Sequence, residues 1–181
     1  MFSRHAEALE WARCQAVREW GPPALVSPVF AFVETRFYDA SMGPELQKQL
    51  LAFERLMDPA ELAARKLRAN EWEDECRAQH AWPEPRPVNL DPGYLTEAKL
   101  ILASTKDRDH RIYLEHGIFA EGTLYFHHGQ WCARPWTYPD YQRSDYHQFF
   151  TVCREYLRTR YRSEFSPTAP TQAGDSRDQP A

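Results

Sequence analysis

Apolar residues in the first part of the chain recur at helical spacing. Those near the N-terminus repeat every three or four residues: Leu9, Ala12, Ala16 and Trp20. This spacing predicts a helix over about residues 4–20, capped by Ser3 and ended by Gly21-Pro22-Pro23. Residues 29–37 are rich in β-branched and aromatic side chains instead, and this short segment is predicted to be a strand.

A second helical region is predicted over residues 44–79. Its first apolar stripe consists of Leu46, Leu50, Phe53 and Met57. Pro44 suits the first position of a helix, and Asp58 and Pro59 restart the helix as its cap and first helical residue. The prolines of the connector 80–87 exclude a regular element there.

After this connector the pattern changes to short runs that are typical of strands. Segments 99–104, 111–114 and 118–126, with 131–137 as a further partner, predict a β-meander within residues 88–137. A last helix is predicted over about 144–162. Its apolar stripe consists of Tyr146, Phe149, Phe150, Cys153 and Leu157.

The order of these elements predicts the fold class. Helices near 4–20, 44–79 and 144–162 around a meander indicate an α+β fold with a largely antiparallel sheet. Residues 1–162 are expected to form a single globular domain, which is an ordinary domain size. Residues 163–181 lack apolar periodicity and are predicted to be a disordered tail.

The hairpin around Gly117 has a predicted register. A three-residue loop, Glu115-His116-Gly117, places glycine at the position that favours positive φ. This register pairs Arg111 with Glu121, Ile112 with Ala120, Tyr113 with Phe119 and Leu114 with Ile118. The Arg111–Glu121 pair is either an exposed ion pair or one that orients the arginine toward an anionic ligand.

Composition limits the classes of partner that the protein can bind. The chain has 181 residues and a net charge of −4, which provides no field for nucleic acid or for an anionic membrane. No apolar run approaches the roughly 18 residues of a membrane span, and the N-terminus lacks a secretory pattern. We therefore expect a cytoplasmic protein whose four cysteines are reduced, and the sequence leaves its oligomeric state open.

Polar residues suited to chemistry are concentrated between Asp91 and Asp140. The candidate acid and base residues are Asp91, His110 and Glu121. The candidate ligand-binding residues are Tyr94, Lys106, Arg111, Trp136, Tyr138 and Asp140. Each also has a structural interpretation: a type II turn at Asp91-Pro92-Gly93, a solvated loop at 106–110, and a loop anchored on the core by aromatic side chains at 136–141.

Familiar motifs of cofactor and metal sites are not present. The sequence contains no GxxxxGK[ST], GxGxxG, GxSxG or HExxH pattern. His127 and His128 are sequential, so on a strand they would point to opposite faces and form a poor metal pair. No metal site is predicted, and the cofactor remains unknown.

Several separate motifs together resemble one bacterial protein family. They are the runs 86–96, 99–107, 110–114, 117–121 and 136–141, with Met42-Gly43, Phe53, Asp58-Pro59 and Asn70. This pattern resembles the family called domain of unknown function 4416, collinearly from about Met1 to Arg162. The resemblance implies no activity, because the family has no established function. It implies an apolar strand before the first helix, of which this chain would have only the end, so either its start is misassigned or its sheet has an exposed edge.

Two hypotheses about function follow. The first is a protein that binds, and could process, a small anionic molecule such as a phosphate ester or nucleotide, through Lys106, His110 and Arg111. Asp91 and Glu121 would then be acid or base candidates. The second is a non-catalytic interaction module that uses the aromatic and charged face of the sheet. The sequence does not decide whether the protein is an enzyme.

Overall fold

Residues 1–79 and 81–165, which the computed structural model describes, combine four helices with ten strands. The helices are α1 (Ala6–Trp20), α2 (Asp39–Met42), α3 (Leu62–Gln79) and α4 (Ser144–Phe165). The strands are β1 (Phe2–Ser3), β2 (Pro23–Val26), β3 (Phe30–Ala31), β4 (Gln47–Lys48), β5 (Leu51–Phe53), β6 (Gly93–Leu95), β7 (Lys99–Ser104), β8 (Arg111–Glu115), β9 (Ile118–His127) and β10 (Gln130–Ala133). The predicted α+β class is confirmed, and the predicted tail from residue 166 onward lies outside the described residues.

The strands form three antiparallel sheets. β1, β4 and β3 form one sheet, and β2 and β5 form a two-stranded ribbon. The largest sheet has the order β10–β9–β7–β6, and β8 also pairs with β9. β7 pairs with most of β9, while β8 pairs with residues 118–121 of β9 and β10 with residues 124–127. The predicted antiparallel sheet is therefore present, with β9 at its centre, but it is not a simple meander, because β7 pairs with β9 rather than with β8.

The first residues are tied into the fold on both sides. Phe2 pairs with Lys48 of β4, and on its other side it exchanges two backbone hydrogen bonds of 2.9 Å with Asn89. Ser3 lies in β1, so the prediction that it caps the first helix is wrong. Its hydroxyl donates to the Pro87 carbonyl oxygen and accepts from the His5 amide, and α1 begins only at Ala6. Phe2 is therefore not at an exposed sheet edge.

The helix predicted over residues 44–57 is wrong, because this segment forms β4 and β5. Leu46 and Lys48 are both buried, and their separation of two residues is the spacing of a strand. β4 lies between β1 and β3, and β5 pairs with β2, so partners distant in sequence decide the local structure. In the predicted strand 29–37, only Phe30–Ala31 forms a strand.

The hairpin of β8 and β9 has the predicted pairing at three of its four positions. Arg111 pairs with Glu121, Ile112 with Ala120 and Tyr113 with Phe119. The fourth pair differs, because Ile118 lies opposite Glu115 rather than Leu114. The loop contains two residues, His116 and Gly117, both with positive φ, and an irregularity at Leu114 restores the register. A two-residue turn is thus compatible with the Arg111–Glu121 pair.

Two long helices cover the large sheet at different places. Residues Leu62 and Ala63 of α3 pack against Ile101 of β7 and Ile118 of β9. α4 packs its residues Tyr146 and Phe150 in a cluster with Leu100, Leu124 and Trp131. Because Leu100 and Ile101 are consecutive in β7, their side chains point to opposite faces, so α3 and α4 cover opposite faces of the sheet. α1 packs on α3, and Trp72 is buried in that cluster.

A first prediction concerns the two tight turns beside β9, which are both His-Gly pairs with positive φ at His116 and His128. Positive φ is unfavourable for histidine and much less so for asparagine. We expect His116→Asn to raise the free energy of unfolding by roughly 0.5–1 kcal/mol, measured by urea denaturation. Gly117→Ala is the matched control and should lower it. A destabilised His116→Asn protein would contradict this description of the turn.

Candidate functional site

Arg111 and Glu121 form a buried ion pair at the start of β8 and the middle of β9. Their side chains are 4% and 3% exposed, and the Nη2–Oε2 distance is 2.7 Å. The guanidinium Nε also donates to Oε2 at 2.8 Å. The predicted cross-strand pair is confirmed, and because both charges are desolvated, removing either partner is far more costly than breaking an exposed pair.

The guanidinium of Arg111 is fully occupied by protein acceptors. Nη1 donates to the Ser104 hydroxyl at 2.7 Å and to the Lys106 carbonyl at 2.8 Å. Nη2 donates to the Tyr138 hydroxyl at 2.9 Å. Every nitrogen of the group therefore has an acceptor, and Arg111 joins two loops, 105–110 and 134–138, to β9.

His110 and Trp136 cover the Glu121 carboxylate. The His110 ring lies between two carboxylates, with Nε2 at 3.3 Å from Glu121 Oε2 and Nδ1 at 3.1 Å from Asp109 Oδ1. It stacks on Trp136 with centroids 4.8 Å apart, and the Trp136 indole donates to the Gly122 carbonyl at 3.0 Å. The loop at 136–138 is thus held by hydrogen bonds as well as by aromatic packing.

The structure brings together His110, Arg111, Glu121, Trp136 and Tyr138, but not the other predicted site residues. Only the backbone of Lys106 contacts Arg111, and its ammonium group lies 4.8 Å from the centre of the Phe37 ring. Asp140 instead binds Lys48, at 2.5 Å between Oδ2 and Nζ.

Lys48 is a buried cation that sequence reasoning missed. Its ammonium group lies within 4.3–5.8 Å of the centres of four aromatic rings: Phe2, Phe32, Tyr141 and Tyr146. Its carboxylate partner Asp140 lies 92 residues away in sequence. No local pattern marked it, because residues 44–57 were predicted to be a helix in which a lysine is ordinarily exposed.

Asp91 belongs to a second polar cluster, at the end of α3 that faces β6. Lys66 Nζ donates to the Leu90 carbonyl at 2.6 Å and to Asp91 Oδ1 at 3.2 Å, and Asn89 donates to Asp91 Oδ2 at 2.5 Å. Burial by itself raises the pKa of Asp91, but the charges of Lys66 and Lys48 lower it to about 2. Asp91 is therefore ionised at neutral pH.

Glu73 completes this cluster. It accepts from the Leu90 amide at 2.7 Å and from Arg86 Nη2 at 2.8 Å, and Lys66 Nζ is 3.9 Å away. Burial raises the pKa of Glu73, against the opposing effect of Lys66 and Arg86. Two cations thus balance the charges of Glu73 and Asp91.

The expected type II turn at Asp91-Pro92-Gly93 is not formed, because Gly93 is the first residue of β6 and lacks positive φ. Glycine is required there by close packing, since a Cβ atom would lie 2.3 Å from the Ile101 carbonyl oxygen. The next residue, Tyr94, then lines a cavity rather than the Arg111 cluster.

The two polar clusters meet at Tyr141. Burial raises the pKa of the Tyr141 hydroxyl well above its usual value, and the carboxylates of Asp140, Asp91 and Glu121 raise it further. The phenol therefore stays protonated. Tyr141 also contributes to the wall of the cavity, so the polar interior and the cavity share a boundary.

A cavity of about 320 Å³ lies between α3, α4, β5 and β6. Most of its wall is apolar: Leu50, Leu51, Phe53, Leu56, Met57, Leu100, Leu102, Phe149, Phe150 and Leu157. Exposed lining residues, Arg55 and Pro59, show where it reaches the surface. The charged side chains of its lining are Arg55, Arg65 and Asp91. This size and composition fit a small-molecule site.

Two N–H groups in the cavity wall are buried without an acceptor. They belong to Arg65 Nε and Trp72 Nε1, and neither has a hydrogen-bond partner among the described residues. The other end of the Arg65 guanidinium pairs with Glu61 at 2.7 Å. Among the described residues, Trp131 Nε1 and Tyr146 Oη also have no hydrogen-bond partner, but these residues do not line the cavity. The Arg65 and Trp72 N–H groups are enclosed by protein atoms rather than open to the cavity, whereas the Arg65 side chain as a whole is 15% exposed and lines it.

Other chemistry has little support near the cavity. The four cysteines are free thiols, and burial raises the pKa of Cys153, which lines the cavity, to about 12. A thiol with such a pKa is a poor nucleophile at neutral pH. In residues 1–79 and 81–165, no three His, Cys, Asp or Glu side chains cluster as metal ligands, and no helix is long and apolar enough to span a membrane.

The His127–His128 prediction is wrong in its geometry. His128 belongs to the turn before β10, not to a strand, and has positive φ. The two rings therefore do not point to opposite faces, and their centroids are only 3.8 Å apart.

A second prediction concerns the buried pair. Glu121→Gln leaves the Arg111 guanidinium desolvated without a counter-charge, and we expect it to lower the free energy of unfolding by about 3–5 kcal/mol. The matched control is Asp74→Asn, which breaks the exposed pair with Arg77 and should change stability by less than about 1 kcal/mol. Urea denaturation of both proteins measures the difference. Equal effects would show that burial does not govern the Arg111–Glu121 pair.

A third prediction follows from Asp91, whose pKa in the folded protein is about 2 against an ordinary 3.8. Because the folded pKa is depressed, the pair stabilises the protein above about pH 4, and this contribution is lost as pH falls toward 2. It is on the order of 2 kcal/mol. Asp91→Asn should therefore destabilise strongly at pH 6 and much less at pH 3, measured by urea denaturation. Asp109→Asn, at a 99% exposed side chain, is the control, and the same pH profile in both variants would refute the assignment.

The chain was compared with families, curated proteins and solved structures. The sequence profile described as Domain of unknown function (DUF4416) matches residues 1–156. No curated protein and no solved structure gives a significant match. The family match covers α1 to α3, all ten strands of the described chain and the first half of α4. The chain therefore belongs to the DUF4416 family of domains of unknown function.

Proposed function

We propose that the protein binds a small molecule with an apolar body and an anionic group in the cavity between α3, α4, β5 and β6. The observation that carries this proposal is the cavity itself, whose mostly apolar wall contains the Arg65 side chain, 15% exposed. An anionic oxygen is the strongest acceptor for an arginine N–H.

The walls of the cavity explain the apolar body. Residues from α4 and β7, including Phe149, Phe150 and Leu100, line the cavity. Burying apolar ligand surface there is favourable by roughly 25 cal/mol per Å². A volume of about 320 Å³ lies at the lower end of the usual range for ligand sites. A compact molecule therefore fits better than a nucleotide.

The anionic ligand of the sequence hypothesis thus remains, but its place changes. Arg111 has no free N–H, so an anion could reach it only by displacing Ser104, Tyr138 or Glu121. Arg65 pairs with the exposed Glu61, and it lines a space large enough for a ligand. This difference supports the cavity over the loop at 106–110.

A binding role is supported better than a catalytic one. Asp91, the ionisable carboxylate in the cavity wall, has a pKa of about 2 and is a weak base at neutral pH. His110 and Glu121, the other candidates for acid and base chemistry, bind each other beneath Trp136. The Asp91 carboxylate of the cavity wall therefore suits recognition better than proton transfer.

A second candidate function is protein–protein interaction through β8. This strand pairs with β9, and its apolar side chains Ile112 and Tyr113 are 72% and 59% exposed. Exposed apolar residues on an edge strand are typical of an association surface. Sedimentation of the wild type and of Ile112→Lys distinguishes this function, since an interaction through β8 should be lost in the variant.

The fourth prediction tests the cavity. In isothermal titration calorimetry, 4-phenylbutanoate should bind the full chain, while 4-phenylbutan-1-ol, which has the same apolar body, should bind more weakly. Arg65→Met keeps the length of the side chain but removes the N–H, and it should weaken binding of the carboxylate roughly tenfold to a hundredfold. The alcohol should be much less affected.

The control is Arg68→Met, one turn along α3, because Arg68 pairs with Glu19, Glu71 and Glu75 and does not line the cavity. It should bind 4-phenylbutanoate like the wild type. Equal affinity of the wild type and Arg65→Met for the carboxylate would refute the proposed role of Arg65. No binding of either probe would refute the proposed site.

A further inference from the structure

We infer that the ligand of this cavity is an amino acid with an apolar side chain, whose ammonium group binds Asp91 while its carboxylate binds the guanidinium of Arg65. This inference rests on the proposed function and specifies the ligand class. It depends on three observations: the accessible carboxylate of Asp91, its position beside Arg65, and the charge balance around both.

Asp91 offers a free acceptor surface to the cavity. It lines the cavity, and 31% of its side chain is accessible although the residue lies among buried neighbours such as Lys66, Asn89 and Leu90. Each carboxylate oxygen accepts one hydrogen bond from the protein, from Lys66 and from Asn89. An ionised carboxylate has further lone pairs, so Asp91 can accept from a ligand without losing these partners.

Asp91 and Arg65 are brought together by α3. Lys66, which binds Asp91, directly follows Arg65 in that helix, so the two groups lie beside neighbouring stripes of its surface. The cavity lining from α4 and β7 includes the apolar residues Leu100, Leu102, Phe149, Phe150 and Leu157. Such an arrangement matches a head group with both signs of charge and an apolar side chain.

The charge balance favours a zwitterion over a simple acid. Lys66 and Arg86 balance Glu73 and Asp91, and Arg65 is already paired with Glu61. A carboxylic acid alone would bring a net negative charge into this balanced region, which costs free energy in a poorly solvated site. A head group with one carboxylate and one ammonium adds no net charge. A hydroxy acid would donate a hydrogen bond to Asp91, but it would still add one negative charge.

Matched probes test this inference with the full chain. Isothermal titration should compare 4-phenylbutanoate with three derivatives at its second carbon: the L-amino, the hydroxy and the N-acetylamino compounds. We expect the amino acid to bind at least tenfold more tightly than 4-phenylbutanoate. The hydroxy and N-acetyl compounds should lack most of this advantage, because they carry no ammonium group. In Asp91→Asn the difference between the amino acid and 4-phenylbutanoate should disappear.

The N-acetyl comparison uses the wild-type protein, so the inference remains testable if Asp91→Asn does not fold. Equal affinities for 4-phenylbutanoate and the amino acid would overturn the inference but leave the proposed function intact. A hydroxy acid that binds most tightly would overturn the assignment of an ammonium group. If none of the four compounds binds, both the inference and the proposed function are overturned.

Discussion

Charges taken out of water must be paired, and three such pairs fix how the parts of this chain meet. Lys48 of β4 binds Asp140, Lys66 of α3 binds Asp91, and Arg111 of β8 binds Glu121. The first two pairs join the N-terminal half of the chain to the segments that precede and follow the large sheet. Desolvation makes each pair intolerant of losing one partner. The same requirement closes the loops 105–110 and 134–138 over β9.

Two arginines distinguish the structural part of the interior from its candidate binding part. Every nitrogen of Arg111 has a protein acceptor, which is typical of a group that holds the fold together. Arg65 pairs with the exposed Glu61 and lines the cavity. The contrast between two arginines of one chain therefore points to the cavity more strongly than residue type alone.

The cavity arises from the way in which helices cover the sheet. α3 packs on one face of the large sheet and α4 on the other, and residues of both helices line the cavity together with β5 and β6. Large side chains of its wall are held by neighbouring rings: Trp72 packs against Trp20, and Phe150 against Trp131 and Tyr141. Packing of this kind leaves a space with apolar walls and a polar side at Asp91.

Contacts between residues close in sequence could be predicted, because periodicity and turn chemistry encode them. The stripe of α4, the Asp58 cap and the Arg111–Glu121 pairing are of this kind, and the hairpin shows the limit, since its pairing was right and its loop length was wrong. Only the tertiary structure turned residues 47–53 into strands, gave Lys48 a partner 92 residues away and placed Arg65 beside a cavity. Those features depend on packing between distant segments, whose free energy outweighs local propensity and leaves no mark in a short stretch of sequence.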